Sequence, residues 1–175
     1  MTEIQLYLIR HAQADQRGSD YPDDSLRPLI DKGHQQAKML AKALAQLDIT
    51  FDRLFSSPLL RAWQTAEPLQ ARLQPKRSLE RLATLADDHY QELIEDINTR
   101  LAPTHTTIAC IGHEPYLSEL ASLLLVGTPG LLNLHFRKAA MVHLQGPLEP
   151  GNLRLEAMLT ARTIRALCRR SSGRS

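Results

Sequence analysis

Thr106-Thr107-Ile108-Ala109-Cys110-Ile111 is the stretch on which the fold turns. It is β-branched or apolar at odd and even positions alike, the pattern of a strand covered on both faces. Such a strand belongs in the middle of a mostly parallel sheet with helices on either side. Directly after it, Gly112-His113-Glu114-Pro115 opens an apolar helical pattern over residues 115–125, with Pro115 suited to its first position. Working outward, residues 4–9, 51–55, 139–144 and 153–159 are further strand patterns. Residues 31–47 put Ala37, Leu40, Ala41, Leu44 and Leu47 on one helical face. Residues 59–73, 91–101 and 160–168 are also helical, Pro68 being a point where the first of these would kink. Polar residues 13–24 form a loop, and residues 147–152 a turn between two strands. The expectation is an α/β fold of three layers, a mostly parallel central sheet with helices on both faces.

At 175 residues the chain is one domain's worth. We expect that domain over residues 1–168 and a frayed basic tail over 169–175 (Arg169-Arg170-Ser171-Ser172-Gly173-Arg174-Ser175), which has no apolar face to bury. With 43% hydrophobic and 23% charged residues the composition is globular, which excludes a disordered or fibrous whole. No apolar run is long enough for a bilayer. Residues 1–5 lack a basic or long apolar leader, so the expected location is the cytoplasm. A formal charge of +2 argues against a dedicated nucleic-acid surface. Cys110 and Cys168 have no CxxC spacing and are expected as buried, reduced thiols.

Three strand patterns end in unusual polar residues. The first runs into Arg10-His11. The second runs into Ser56-Ser57-Pro58, with Arg61 in the first turn of the following helix, and the third into Gly112-His113. Ligands of open α/β sheets bind outside the carboxyl ends of strands, so neighbouring strands would converge two histidines and two arginines on one space. Arginine forks suit phosphoryl or carboxylate groups. An unprotonated histidine is a nucleophile at phosphorus, and a protonated one stabilises charge. The helix beginning near Pro115 would add free N–H groups for an anion. The other five histidines are expected on the surface or in packing.

These residues carry a resemblance. Leu8-Ile9-Arg10-His11-Ala12 resembles the Arg-His-Gly motif of the histidine phosphatase superfamily, the phosphoglycerate-mutase-like fold. Ser56-Ser57-Pro58-Leu59-Leu60-Arg61-Ala62-Trp63-Gln64-Thr65-Ala66 is similar to the family's second motif, and Ile111-Gly112-His113-Glu114-Pro115 to its third. Asp24-Ser25-Leu26-Arg27-Pro28-Leu29, Gly33, Gln36-Ala37 and Phe136-Arg137-Lys138-Ala139-Ala140 resemble the short SixA-like phosphohistidine phosphatase branch. The resemblance implies that His11 accepts the phosphoryl group, that Arg10, Arg61 and His113 hold its oxygens, and that Arg27 joins in binding substrate. No metal or cofactor is implied. Ala12 replaces a glycine, so its backbone must avoid positive φ. Ile30 replaces a threonine, which moves the helix cap to Asp31. The block 137–140 lacks a common glycine, which leaves a ligand role for Lys138 open. Asp87 and Asp88 lie where a general acid would stand, and equally where they would cap a helix from about Tyr90.

The leading expectation is a metal-independent phosphatase that removes phosphoryl groups from phosphohistidine in proteins through a covalent intermediate on His11, in signal transduction. Its partner would be a phosphorylated protein such as a histidine-containing phosphotransfer domain, with no nucleic acid and no membrane. A phosphomonoesterase for small phosphorylated substrates and a non-catalytic phosphoryl-binding regulatory module are the alternatives.

Overall fold

The structure, a computed structural model, describes residues 3–73, 78–87 and 89–170. At its centre β1 (Ile4–Arg10) and β4 (Thr107–Gly112) lie side by side and parallel. Beyond β4 come β2 (Arg53–Ser56) and β3 (Glu80–Arg81), also parallel. Beyond β1, β5 (Met141–Gly146) and β6 (Arg154–Leu159) pair antiparallel. The strand order is β3-β2-β4-β1-β5-β6, a mostly parallel sheet with an antiparallel hairpin on one edge.

Both parities of the central strands are buried, as residues 106–111 led us to expect. Leu6 and Leu8 of β1 join Ile108 and Cys110 of β4 in one core, closed over by α3 (Tyr90–Arg100) and α4 (Tyr116–Val126). Tyr7, Ile9, Ala109 and Ile111 join the other, beneath α1 (Asp31–Gln46), α2 (Leu60–Leu73) and α5 (Ala161–Arg170). Leu8, Ile9, Ile108 and Ile111 are wholly buried, each worth about 1.5–3 kcal/mol of transfer free energy. A register slip of one residue would exchange the two cores, so the register is strongly specified.

Three local expectations need correcting. Asp31 does not cap α1: the cap position is Ile30, extended at φ −84° and ψ 170°, with no side-chain hydrogen bond. Tertiary contacts set the helix start instead. The Ile30 N–H donates to the Gln13 carbonyl, and Gly33 lies so close to that carbonyl that a Cβ there would come within 2.0 Å of its oxygen. Pro115 stands at the cap position of α4 rather than inside it. α3 begins after His89, again with no side-chain cap, so Asp87 does not cap it. α2 continues through Pro68. α5 runs on through Arg170, and residues 171–175 lie outside the described residues.

Cys110 and Cys168 are buried and unbonded to each other, and burial pushes the Cys110 thiol up to about 12. Among the described residues no helix is long and apolar enough to cross a membrane.

Candidate active site

The parallel register places the site. Arg10 stands opposite Gly112, so His11 and His113 emerge at the same height from adjacent strand ends, and the His11 N–H donates to the Gly112 carbonyl at 3.0 Å. Ser56 stands opposite Ile111, and the Ser57 N–H donates to the Ile111 carbonyl at 2.9 Å. The turn after β2 then leads into α2, whose second residue is Arg61. The two imidazole rings meet with centroids 5.1 Å apart.

Their hydrogen bonds define their protonation. His11 Nδ1 lies 2.7 Å from the Ala12 carbonyl, which only accepts, so Nδ1 carries the hydrogen and the Nε2 lone pair is free. The Ala12 N–H is in turn held by Thr65 Oγ1 at 3.0 Å, and that hydroxyl donates to the Arg61 carbonyl at 2.7 Å. Ala12 avoids the positive-φ region, as its side chain requires. His113 Nε2 pairs with Ser57 Oγ at 2.8 Å. Its Nδ1 is buried without a protein partner, and so are Arg10 Nε and Arg61 Nε. Three buried nitrogens of the residues around His11 thus have no hydrogen-bond partner in the protein.

Burial lowers the pKa of both histidines to about 3. For His11 the neighbouring His113, Arg61 and Arg10 add to burial, while the hydrogen bond to Ala12 opposes it; for His113 the additions are Arg61, Arg10 and Arg27, and Asp24 opposes. The arginines therefore do lower His11 as expected, but rank behind desolvation. His11 is neutral near pH 7, as a nucleophile needs to be. His113 is neutral near pH 7 as well.

Arg10 donates to the Phe136 carbonyl at 2.6 Å. Arg61, 6% exposed, is held by a residue to which sequence reasoning assigned no role. It donates through one terminal nitrogen to the Asp24 carbonyl at 2.8 Å, and its other lies 3.0 Å from the Asp24 carboxylate. Asp24 also takes Arg27 Nε at 2.8 Å, and Arg17 at 3.7 Å. Its pKa is depressed first by the hydrogen bond from Arg27 and then by Arg61, Arg27 and Arg17 against burial. The local signal was Asp24 with Arg27 three residues on; the link to Arg61 spans 37 residues and leaves no local pattern. Arg27 thus lies at the pocket rim, also donating to the Asp15 carbonyl at 2.8 Å.

Lys138 belongs to the same field: burial lowers its pKa, and Arg10, Arg27 and Arg61 lower it further. It is positioned by Ala139, whose φ is +58° and whose N–H donates to the His11 carbonyl at 3.2 Å. Ala139 thus occupies the left-handed region, a strained choice for a residue with a Cβ.

Of the two carboxyls considered as acids, Asp87 is exposed and Asp88 lies outside the described residues. A third was missed. Glu114 follows His113, half-buried, with one carboxyl oxygen lacking a hydrogen-bond partner. Burial raises its pKa against the opposing hydrogen bonds from Ser118 and the charge of Arg10. The first turn of α4 does not present the expected free donors, because the Leu117 N–H is bonded to the His113 carbonyl and the Ser118 N–H to that of Pro115. Among the described residues no group of three or more His, Cys, Asp or Glu is placed to hold a metal ion.

Comparison with known proteins fits this geometry. The family model for the histidine phosphatase superfamily (branch 1) matches residues 6–110. An uncharacterized protein of Picosynechococcus sp. is 35% identical over 153 residues, covering 81% of this chain and 85% of its own. Phosphohistidine phosphatase SixA of Escherichia coli K12 is 34% identical over 64 residues, 37% of this chain and 38% of its own. Among solved structures, the protein histidine phosphatase SixA complexed with tungstate superposes with a TM-score of 0.75 at 25% identity, over 92% of this chain and 99% of that one. A phosphoserine phosphatase of Entamoeba histolytica, in complex with 3-phosphoglyceric acid, shares the fold at TM-score 0.67 and 15% identity, over 92% and 99% of the two chains.

Proposed function

Since the chain belongs to the histidine phosphatase superfamily, we propose that it is a metal-independent phosphatase for phosphohistidine in proteins. The observation that carries the reading is His11 itself: a buried, neutral imidazole with its Nε2 lone pair free, beside three buried nitrogens without protein partners. Nε2 attacks the phosphorus, the P–N bond to the substrate imidazole breaks, and its electron pair returns to that ring, which leaves as neutral imidazole with the proton already on its other nitrogen. Water then attacks the phosphoryl group on His11, releasing inorganic phosphate and restoring the neutral ring. Arg10, Arg61 and His113 face the charge on the transferring oxygens, and the incoming dianion favours the protonated form of His113. The charge that a cation would supply comes from the arginines, so activity survives chelation.

Phosphohistidine is favoured as substrate because a protonated imidazole leaves without much help from an acid. The partner that fits is a histidine-containing phosphotransfer domain. Glu114 supports a second reading, a phosphomonoesterase for small substrates, since a half-buried carboxyl with a raised pKa is the proton donor an alkoxide would need.

The test is chemical trapping. Turnover should pass through an adduct on His11 that is labile in acid and stable in base. His11→Ala should abolish both adduct and activity with the far-UV circular dichroism unchanged. An acid-stable adduct, or activity surviving in His11→Ala, would overturn the assignment.

A further inference from the structure

A second charged feature lies outside the pocket. Lys32 and Lys42 of α1 and Arg165 and Arg169 of α5 line a groove of about 670 Å³ between the two helices. None of the four forms an ion pair among the described residues. Asp31 is the sole acidic residue of α1, and α5 has none. In a chain of formal charge +2 this is a strongly one-sided face.

The groove starts at the catalytic end of the sheet. α1 begins where Ile30 bonds the Gln13 carbonyl, and α5 begins at Ala161, packed against Ala12, Ala14 and Ala139. Gln36, which lines the groove, accepts the Gln13 N–H at 2.9 Å, two residues beyond His11. From Lys32 to Lys42 the groove extends about 15 Å along α1, a length that no small phosphate ester would use.

We propose that this α1–α5 face docks an acidic surface of the phosphoprotein substrate, adjoining its phosphohistidine; the proposal rests on the protein-phosphatase reading above. The occupant's sign follows from charge complementarity. Its class follows from the lining: Gln35, Gln36 and Met39 suit a protein surface, and the groove offers no aromatic ring for a nucleic-acid base to stack on. Nor does α5 turn a wide apolar face outward for a membrane, because Ile164 and Cys168 are buried against the body of the protein.

The experiment compares two substrates, phosphoramidate and a phosphorylated histidine-containing phosphotransfer domain with an acidic surface around its histidine. The variant K32E/K42E/R165E/R169E is tested beside the neutralised K32Q/K42Q/R165Q/R169Q. We expect kcat/KM on the phosphodomain to fall about tenfold or more in the reversed variant, mostly through KM, and less in the neutralised one. Phosphoramidate turnover should stay within about twofold, and the wild-type rate on the phosphodomain should fall with salt more steeply than the variant's. Equal losses on both substrates, or no loss on the phosphodomain, would overturn the docking proposal. So would a short single-stranded RNA that binds the wild type and not the variant while phosphodomain turnover is unchanged. Failure of the functional reading looks different: a wild-type protein that cleaves alkyl phosphates and leaves the phosphodomain untouched.

Discussion

Two turns flank the pair of histidines, and each contributes a carboxyl group in an opposite electrostatic condition. In the turn containing Asp24, three arginines surround a carboxylate and hold it ionised. In the turn after β4, burial pushes Glu114 towards its neutral form. The first is an internal anion resting on the arginine that the proposed mechanism assigns to the phosphoryl group. The second is a carboxyl whose proton is held more tightly than usual by burial. Identity as Asp or Glu does not separate them; the number of cations within reach does.

The sharpest way to break this contrast is Glu114→Gln. On an alkyl phosphate we expect a loss of about 10²–10⁴-fold in kcat, and on phosphohistidine less than about tenfold. A loss that does not grow with the leaving group's basicity would reduce Glu114 to a structural role. Comparison with Asp87→Asn, which should be nearly silent on both substrates, controls for general effects of acid removal.

The histidines lying between the two turns respond to pH in a defined direction. Their folded pKa values are about 3, below the ordinary value of 6.5, so below pH 6.5 the unfolded chain binds more protons. Their contribution is fully present above 6.5 and is lost as pH falls towards 3. At pH 5 the loss is at most about 2 kcal/mol for each ring. Denaturant melts from pH 7.5 to 5 should show this slope, and His11→Asn with His113→Asn should flatten it. Catalysis should keep its acid limb well below pH 5, since His11 stays neutral there.

Asp24→Asn sharpens the other side. Removing the carboxylate leaves the guanidinium of Arg61 less compensated, at a cost of about 1–3 kcal/mol in the empty protein. It also removes the anion that competes with phosphate. The thermal shift produced by inorganic phosphate should therefore exceed the wild-type shift. A smaller shift would mean that Asp24 serves only to position Arg61. The smallest expected effect is Ala139→Gly, which relieves the left-handed strain by about 1 kcal/mol, less what the lost methyl contributes in packing. A rise in melting temperature checks it.

The central strands were legible because burial on both faces writes itself into consecutive residues: Leu6 to Ile9 and Ile108 to Ile111 need no partner to be recognised. His11, His113 and Arg61 were legible as polar residues following such runs. Asp24 was present in a quoted motif and still received no role, because its partner Arg61 lies on another element. Glu114 escaped for a related reason: its shifted pKa comes from tertiary burial. β3, two polar residues long, exists through pairing of Glu80 with Phe55 and Arg81 with Ser56. The start of α1 at residue 31 was legible, but its cap was misassigned, since a side-chain cap was sought where a backbone contact with Gln13 decides. What the chain encodes locally can be read along it, whereas what arises by contact between distant segments cannot.

The position of β1 has a consequence for how this protein is made. Leu8 has Cys110 as its neighbour on one side and Val142 on the other, so β1, made before either partner, waits for strands about a hundred residues downstream. Until both arrive, His11, the proposed nucleophile, has neither His113 beside it nor a closed core beneath it. Phosphoryl labelling of His11 would then mark only finished molecules. A single-turnover burst, divided by total protein, becomes a gauge of the correctly assembled fraction in any preparation.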